Sequence, residues 1–242
     1  MHEEGIQPVL SFLLDRLPPG LRAWVDIGVL HAALGILLLI VVARLATRRL
    51  ELRAEKASKL QMAMEWVYEL LTGFATRMIG PRGPEFVPLL GTFFLYIFTM
   101  NLMGLVPGLG SPTSRLGVTA ALGVTAFLAV QYAGFRHRGL RYLMHFVGEP
   151  IWLAPLNIPV HIVGELARPL SLSVRLFGNI FGEDTMLLQF MLLGVAVTSA
   201  VYVPVPLQLP MAAFVIFGGF IQALVFTALT AAYIAGAIAE EH

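Results

Sequence analysis

Five ionisable side chains, Glu165, Arg168, Arg175, Glu183 and Asp184, fall within the twenty residues ELARPLSLSVRLFGNIFGED, between two apolar regions. A charge at bilayer depth costs several kcal/mol and marks a water-filled cavity, a partner charge or a transport path. Arginine keeps its proton where a buried lysine loses it, so Arg175 is a permanent positive charge. Such a charge favours ionisation of any carboxylate that approaches and opposes a cation moving straight past. Neither role needs a cofactor. On a helix that advances ~100° per residue, Ser171, Arg175 and Asn179 lie within ~40° of one line, with Glu183 ~80° round from Arg175 and Asp184 opposite. Acids on either side of a fixed cation suit two water-filled half-channels kept apart by Arg175. The driving force is about 2.3 kcal/mol for each elementary charge crossing 100 mV.

The elements that must carry these residues are membrane helices. Of 242 residues, 57% are hydrophobic and only 13% charged, with a mean hydropathy of +0.79; a soluble domain carries about 25% charged residues. Cysteine is absent, which excludes disulfides, thiolate metal sites and covalent haem. His145 with Glu149, and His161 with Glu165, do not form the HExxH pattern of a zinc protease. No Gly-rich phosphate loop is present, so nucleotide binds elsewhere if it is involved, and no nucleic-acid partner is expected.

Read in order, the chain is a single all-α polytopic domain over residues 1–242, with about five crossings and one interfacial amphipathic helix. Residues 1–24 form an external segment in which Pro8–Leu17 is a short interfacial helix or disordered. The first span covers 27–46 and runs into Arg44, Arg48, Arg49, Arg53, Lys56 and Lys59. Residues 47–85 are a cytoplasmic loop whose stretch Gln61–Ile79 alternates Met62, Trp66, Leu70 and Phe74 with Glu65, Glu69 and Arg77 at helical spacing, too polar to cross. The turn Gly80-Pro81-Arg82-Gly83-Pro84 ends it. Residues 86–135 form a helical hairpin from Phe86–Val106 and Leu116–Phe135. Residues 136–159 are a cytoplasmic connection broken by Pro150, Pro155 and Pro159. Pro169 is expected to push Arg168 out of helical geometry. Residues 160–238 form two long, tilted helices: the charged stripe leading into Thr185–Val203, a Pro204-Val205-Pro206 turn, and Leu209–Ile238.

Charge placement sets the orientation. Eleven of the 16 Lys and Arg fall in the proposed cytoplasmic loops, against three outside (Arg16, Arg22 and Arg115). The N-terminus is therefore expected outside and the C-terminus inside.

The run Glu165-x-x-Arg168-Pro169-x-Ser171-Leu172-x-x-Arg175-Leu176-Phe177-Gly178-Asn179 resembles the signature of subunit a of the F-type ATP synthase. A second element, Gly219-Phe220-Ile221-Gln222-Ala223-Leu224-Val225-Phe226 leading to Tyr233, follows in the last apolar segment. The resemblance implies a non-catalytic stator subunit, without cofactor or metal, in a bacterial inner membrane. Its implied partners are a ring of c subunits, each with a membrane carboxylate facing Arg175, the b-type peripheral stalk, the rest of the complex, and the lipid bilayer. It implies proton-path roles for Arg175, Glu165, Glu183, Asp184, Asn179 and Gln222, with Ser171 and Arg168 as further candidates. Some relatives carry a histidine where this chain has Val215. Glu183 and Asp184 are both acidic, and the sequence leaves open which is the main relay.

Rival readings stand beside these. Arg175 could be a structural arginine paired with Glu183, and Asn179 and Gln222 could simply bond between helices. The chain could be an autonomous proton-coupled transporter or channel, although it lacks a two-fold internal repeat. It could also be a non-conducting scaffold whose stripe binds a partner's carboxylate.

Overall fold

Uncharged apolar runs in lipid must satisfy every backbone donor and acceptor internally, so they fold as helices. The computed structural model describes residues 27–48, 59–106, 109–143, 154–202 and 207–239. Among these it forms α1 (Ile27–Thr47), α2 (Lys59–Ile79), α3 (Val87–Met103), α4 (Leu116–Arg138), α5 (Ala154–Val201) and α6 (Gln208–Ile238). Short 3-10 turns occupy Gly83–Phe86, Pro112–Ser114 and Gly139–Leu143. Five segments are long and apolar enough to cross a membrane: Ile27–Thr47, Gly83–Met103, Leu116–Arg138, Pro155–Ser199 and Leu209–Ile238. The segment Pro8–Leu17 and the Pro204-Val205-Pro206 turn lie outside the described residues.

α2 is the polar exception expected from its pattern. It buries Leu71 and Ala75 and leaves Trp66 and Tyr68 exposed. Gly80, at φ +87°, stops it in a conformation that favours glycine. The following turn then folds back, with Gly83 so close to the Ala75 carbonyl that no Cβ would fit.

α6 is the centre of the packing and touches α2, α3, α4 and α5. At one level Phe93, Ile97 and Met100 of α3 meet Leu172, Leu176 and Ile180 of α5 and Phe226 of α6. At the other, Leu71, Ala75, Val87 and Leu90 meet Ala231, Ile234 and Ala237. Lipid tails are as apolar as these side chains, so close fit rather than water exclusion holds the helices together. Alanines 75, 223 and 231, with no exposed surface, mark where they approach.

Two expectations about proline are corrected. The chain is helical from Ala154, not broken as far as Pro159, and α5 runs through both Pro159 and Pro169. Pro155 sits in the first turn, where its missing N–H would lack an intrahelical partner anyway. Pro169 deprives the Glu165 carbonyl of its usual helical donor, and one turn on Ser173 Oγ donates to the Pro169 carbonyl at 2.7 Å without replacing that donor. Arg168 keeps helical register all the same. The 48 residues of α5 extend ~72 Å at ~1.5 Å per residue, more than twice the ~30 Å of hydrocarbon, so α5 must lie strongly inclined.

Candidate functional site

α5 presents two faces. Glu165, Leu172, Ser173, Leu176 and Ile180 are buried against the bundle, while Gly164, Ala167, Ser171, Arg175, Gly178 and Gly182 form an uncovered line. Gly123 of α4 allows the close approach on the buried side, because a Cβ there would collide with Ser173 Oγ. Arg175 is exposed and takes no hydrogen bond or ion pair among the described residues. Its pairing with Glu183 is not formed. An unpaired guanidinium inside a membrane segment is a group presented to something outside the chain.

Of the other stripe residues, Ser171 and Asn179 stay exposed, while Glu165 is buried and Arg168, Glu183 and Asp184 are half-buried. Asn179 Nδ2 donates to Gln222 Oε1 across α5 and α6 at 2.7 Å, bringing together two residues distant in sequence. Glu165 is 6% exposed, pairs with Arg168 one turn later, and accepts a hydrogen bond from Gln131 Nε2 of α4 at 3.0 Å. Arg168 in turn lies over the Tyr233 ring of α6, 5.1 Å from its centroid. Along the helix Glu165 is ~15 Å from Arg175, and Glu183 is ~12 Å away on the other side.

Glu183 and Asp184 diverge, as neighbours ~100° apart on a helix must. The Glu183 carboxylate fills the notch left by Gly218 on α6, where a Cβ would overlap it. Asp184 lies beside Ser114 and over Gly104 at the end of α3, with Oδ1 3.2 Å from where a Cβ would stand. Close to them is a chain of uncharged polar groups. Asn101 Nδ2 donates to the Gly219 carbonyl at 3.2 Å, Thr113 Oγ1 donates to Asn101 Oδ1 at 2.6 Å, and Ser111 Oγ lies 2.7 Å from Thr113 Oγ1. Buried hydroxyls, amides and carboxylates at this spacing can pass protons with ordered water.

Sequence reasoning missed Asn101, Thr113, Gln131 and Gly218. Lone amides within otherwise apolar spans were a usable signal for Asn101 and Gln131. Gly218 had none, since its role depends on where Glu183 lands.

Comparison with known proteins gives a consistent result. A family model described as ATP synthase A chain matches residues 29–235. The chain is 43% identical to ATP synthase subunit a 1 of Syntrophotalea carbinolica over 216 residues, covering 89% of this chain and 87% of that protein. It is 40% identical to ATP synthase subunit a of Protochlamydia amoebophila over 222 residues, 88% of this chain and 80% of the relative. With ATP synthase subunit a of Solibacter usitatus it shares 35% identity over 242 residues, all of this chain and 98% of the relative.

Proposed function

The chain belongs to the ATP synthase A chain family, and from that premise we propose how its residues carry protons. It is a multi-pass, non-catalytic, proton-translocating subunit of ATP synthase. In our reading, two offset half-channels deliver protons to and from carboxylates on a c-subunit ring, and Arg175 separates them. Asp184 and Glu183 serve the external side with Asn179 and Gln222, and Glu165 serves the internal side. The N-terminus lies outside a bacterial plasma membrane and the C-terminus in the cytoplasm, with b-type stalk subunits anchoring the chain. The observation that carries this reading is Arg175 itself, uncovered and unpaired among the described residues at mid-stripe while acids pack inward at either side. Reconstitution tests it. Liposomes holding the chain alone should pass no more protons than empty ones, and the assembled complex should pump. Flux through the chain alone would instead mark an autonomous transporter.

Two substitutions probe the geometry. Gly218→Ala puts a methyl group into the Glu183 carboxylate, so either that side chain moves or α5 and α6 separate, at about 1–3 kcal/mol for overpacking. ATP-driven pumping per assembled complex should fall several-fold. Wild-type pumping would show that the Glu183 position is immaterial.

The Asn179–Gln222 bond allows a cleaner separation of packing from transport. Interhelical hydrogen bonds in membranes contribute about 0.6 kcal/mol on average and about 1.7 kcal/mol at most, so packing alone explains no more than a ~20-fold effect. Asn179→Leu and Gln222→Leu are expected to exceed that in pumping, with the double variant no worse than the worse single one. Losses confined to complex yield would leave the pair structural.

A further inference from the structure

A second polar centre lies where α4, α5 and α6 meet, and its organisation extends past the stripe. We propose that Gln131 is a positioning residue for proton exchange at Glu165. The proposal rests on the reading of Glu165 as part of the proton path.

Both Glu165 oxygens are engaged from different directions. Oε1 pairs with the Arg168 guanidinium, and Oε2 accepts from Gln131 Nε2 at 3.0 Å. Gln131 is itself held by the Tyr142 side chain, which is 2% exposed. The Tyr142 ring packs edge-on against Phe135 at 5.1 Å and so tightly over Gly134 that a Cβ there would stand 2.6 Å from it. Burial, with the nearby Glu165 charge second, raises the Tyr142 hydroxyl above its ordinary range, so it remains a neutral partner. Arg168 is held in its turn by the Tyr233 ring. The carboxylate is thus fixed through α4 on one side and α6 on the other.

Beside it lies a cavity of about 10 Å³ lined mainly by apolar groups, Phe127, Val130 and Leu172 among them. That is the scale of one water, which needs two to four polar partners. The wall is almost wholly apolar and supplies too few of them, so the cavity is no water site. A neutral amide suits this place. A proton arriving as hydronium forms an O–H bond on Oε2, leaves water behind and displaces the Gln131 hydrogen bond; when the proton returns to water, the amide returns and the carboxylate recovers its position. A lysine at 131 would add a second ion pair and hold the anion shut.

The test measures ATP-driven acidification of inverted vesicles, per assembled complex, for Gln131→Leu, Gln131→His, Glu165→Gln and the double variant Gln131→Leu/Glu165→Gln. Gln131→Leu is expected to lose about tenfold, the scale of one hydrogen bond to a charged group. Gln131→His, whose ring N–H offers a donor at similar reach, should recover most of it. The double variant should pump no worse than Glu165→Gln alone. Losses that multiply in the double variant, or no rescue by histidine, would make Gln131 a packing residue and overturn the proposal. Normal pumping by Gln131→Leu beside an impaired Glu165→Gln would overturn it alone, leaving Glu165 in the path. Normal pumping by Glu165→Gln would remove both.

Discussion

Arg175→Ala is expected to abolish ATP-driven acidification of inverted vesicles while the complex still inserts and assembles. Arg175 makes no bond that holds α5 to its neighbours, and the buried face of α5 lies elsewhere, so its removal costs little packing. Its electrostatic effect is larger. Two unit charges ~4 Å apart interact with about 4 kcal/mol at an effective dielectric near 20. That corresponds to roughly a thousandfold discrimination against a proton passing directly between the half-channels. Arg175→Lys should fail largely as well, because a lysine loses its proton when desolvated and lacks the planar fork that meets a carboxylate. Fluorescence quenching in vesicles, alongside complex yield, separates the outcomes. Normal pumping by Arg175→Ala would end the central assignment, and loss of assembly in step with loss of pumping would return it to a structural role.

Glu183→Gln and Asp184→Asn are each expected to remove most of the pumping, and the double variant to be no worse than the worse of them. The reason is their order in space. Asp184 lies at the hairpin turn beside Ser114 and Gly104, and Glu183 reaches across to Gly218 of α6. Glu183 Oε2 is enclosed without a hydrogen-bond partner among the described residues. Stations met one after the other fail singly, and loss of one positioned proton-transfer group typically costs about a hundredfold or more. Parallel routes would behave differently, with mild single variants and a severe double one. Pumping by the three variants, normalised to assembled complex, decides between the arrangements.

The spans and the amphipathic α2 were legible because absence of charge over ~20 residues and a 3.6-residue pattern are properties of local sequence. The orientation of Ser171, Arg175 and Asn179 was legible for the same reason: a continuous helix fixes angular positions. The prolines were not. Pro159 and Pro169 look like breaks when each is judged by the bond it removes, but one lost bond per proline costs less than leaving helical structure, the cheapest backbone in lipid. Gln131 and Asn101 were visible as polar residues but had no partners until α4 met α5 and α3 met α6. The choice between Glu183 and Asp184 was likewise a question of neighbours, which one chain's periodicity does not contain.

The length of α5 has an electrical consequence. A straight 45-residue apolar segment, Pro155–Ser199, extends ~68 Å and fits ~30 Å of hydrocarbon only with its axis about 60° from the membrane normal. Glu165 and Glu183, 18 positions apart in the sequence, are then separated by ~27 Å along the helix but only ~13 Å in depth. In the half-channel arrangement proposed above, with water reaching each acid from its own face, nearly the whole transmembrane voltage would fall across that thin layer, in which Arg175 sits. The local field is about twice that of an unbroken bilayer, and the remaining displacement is sideways, along the uncovered face that a moving partner would sweep.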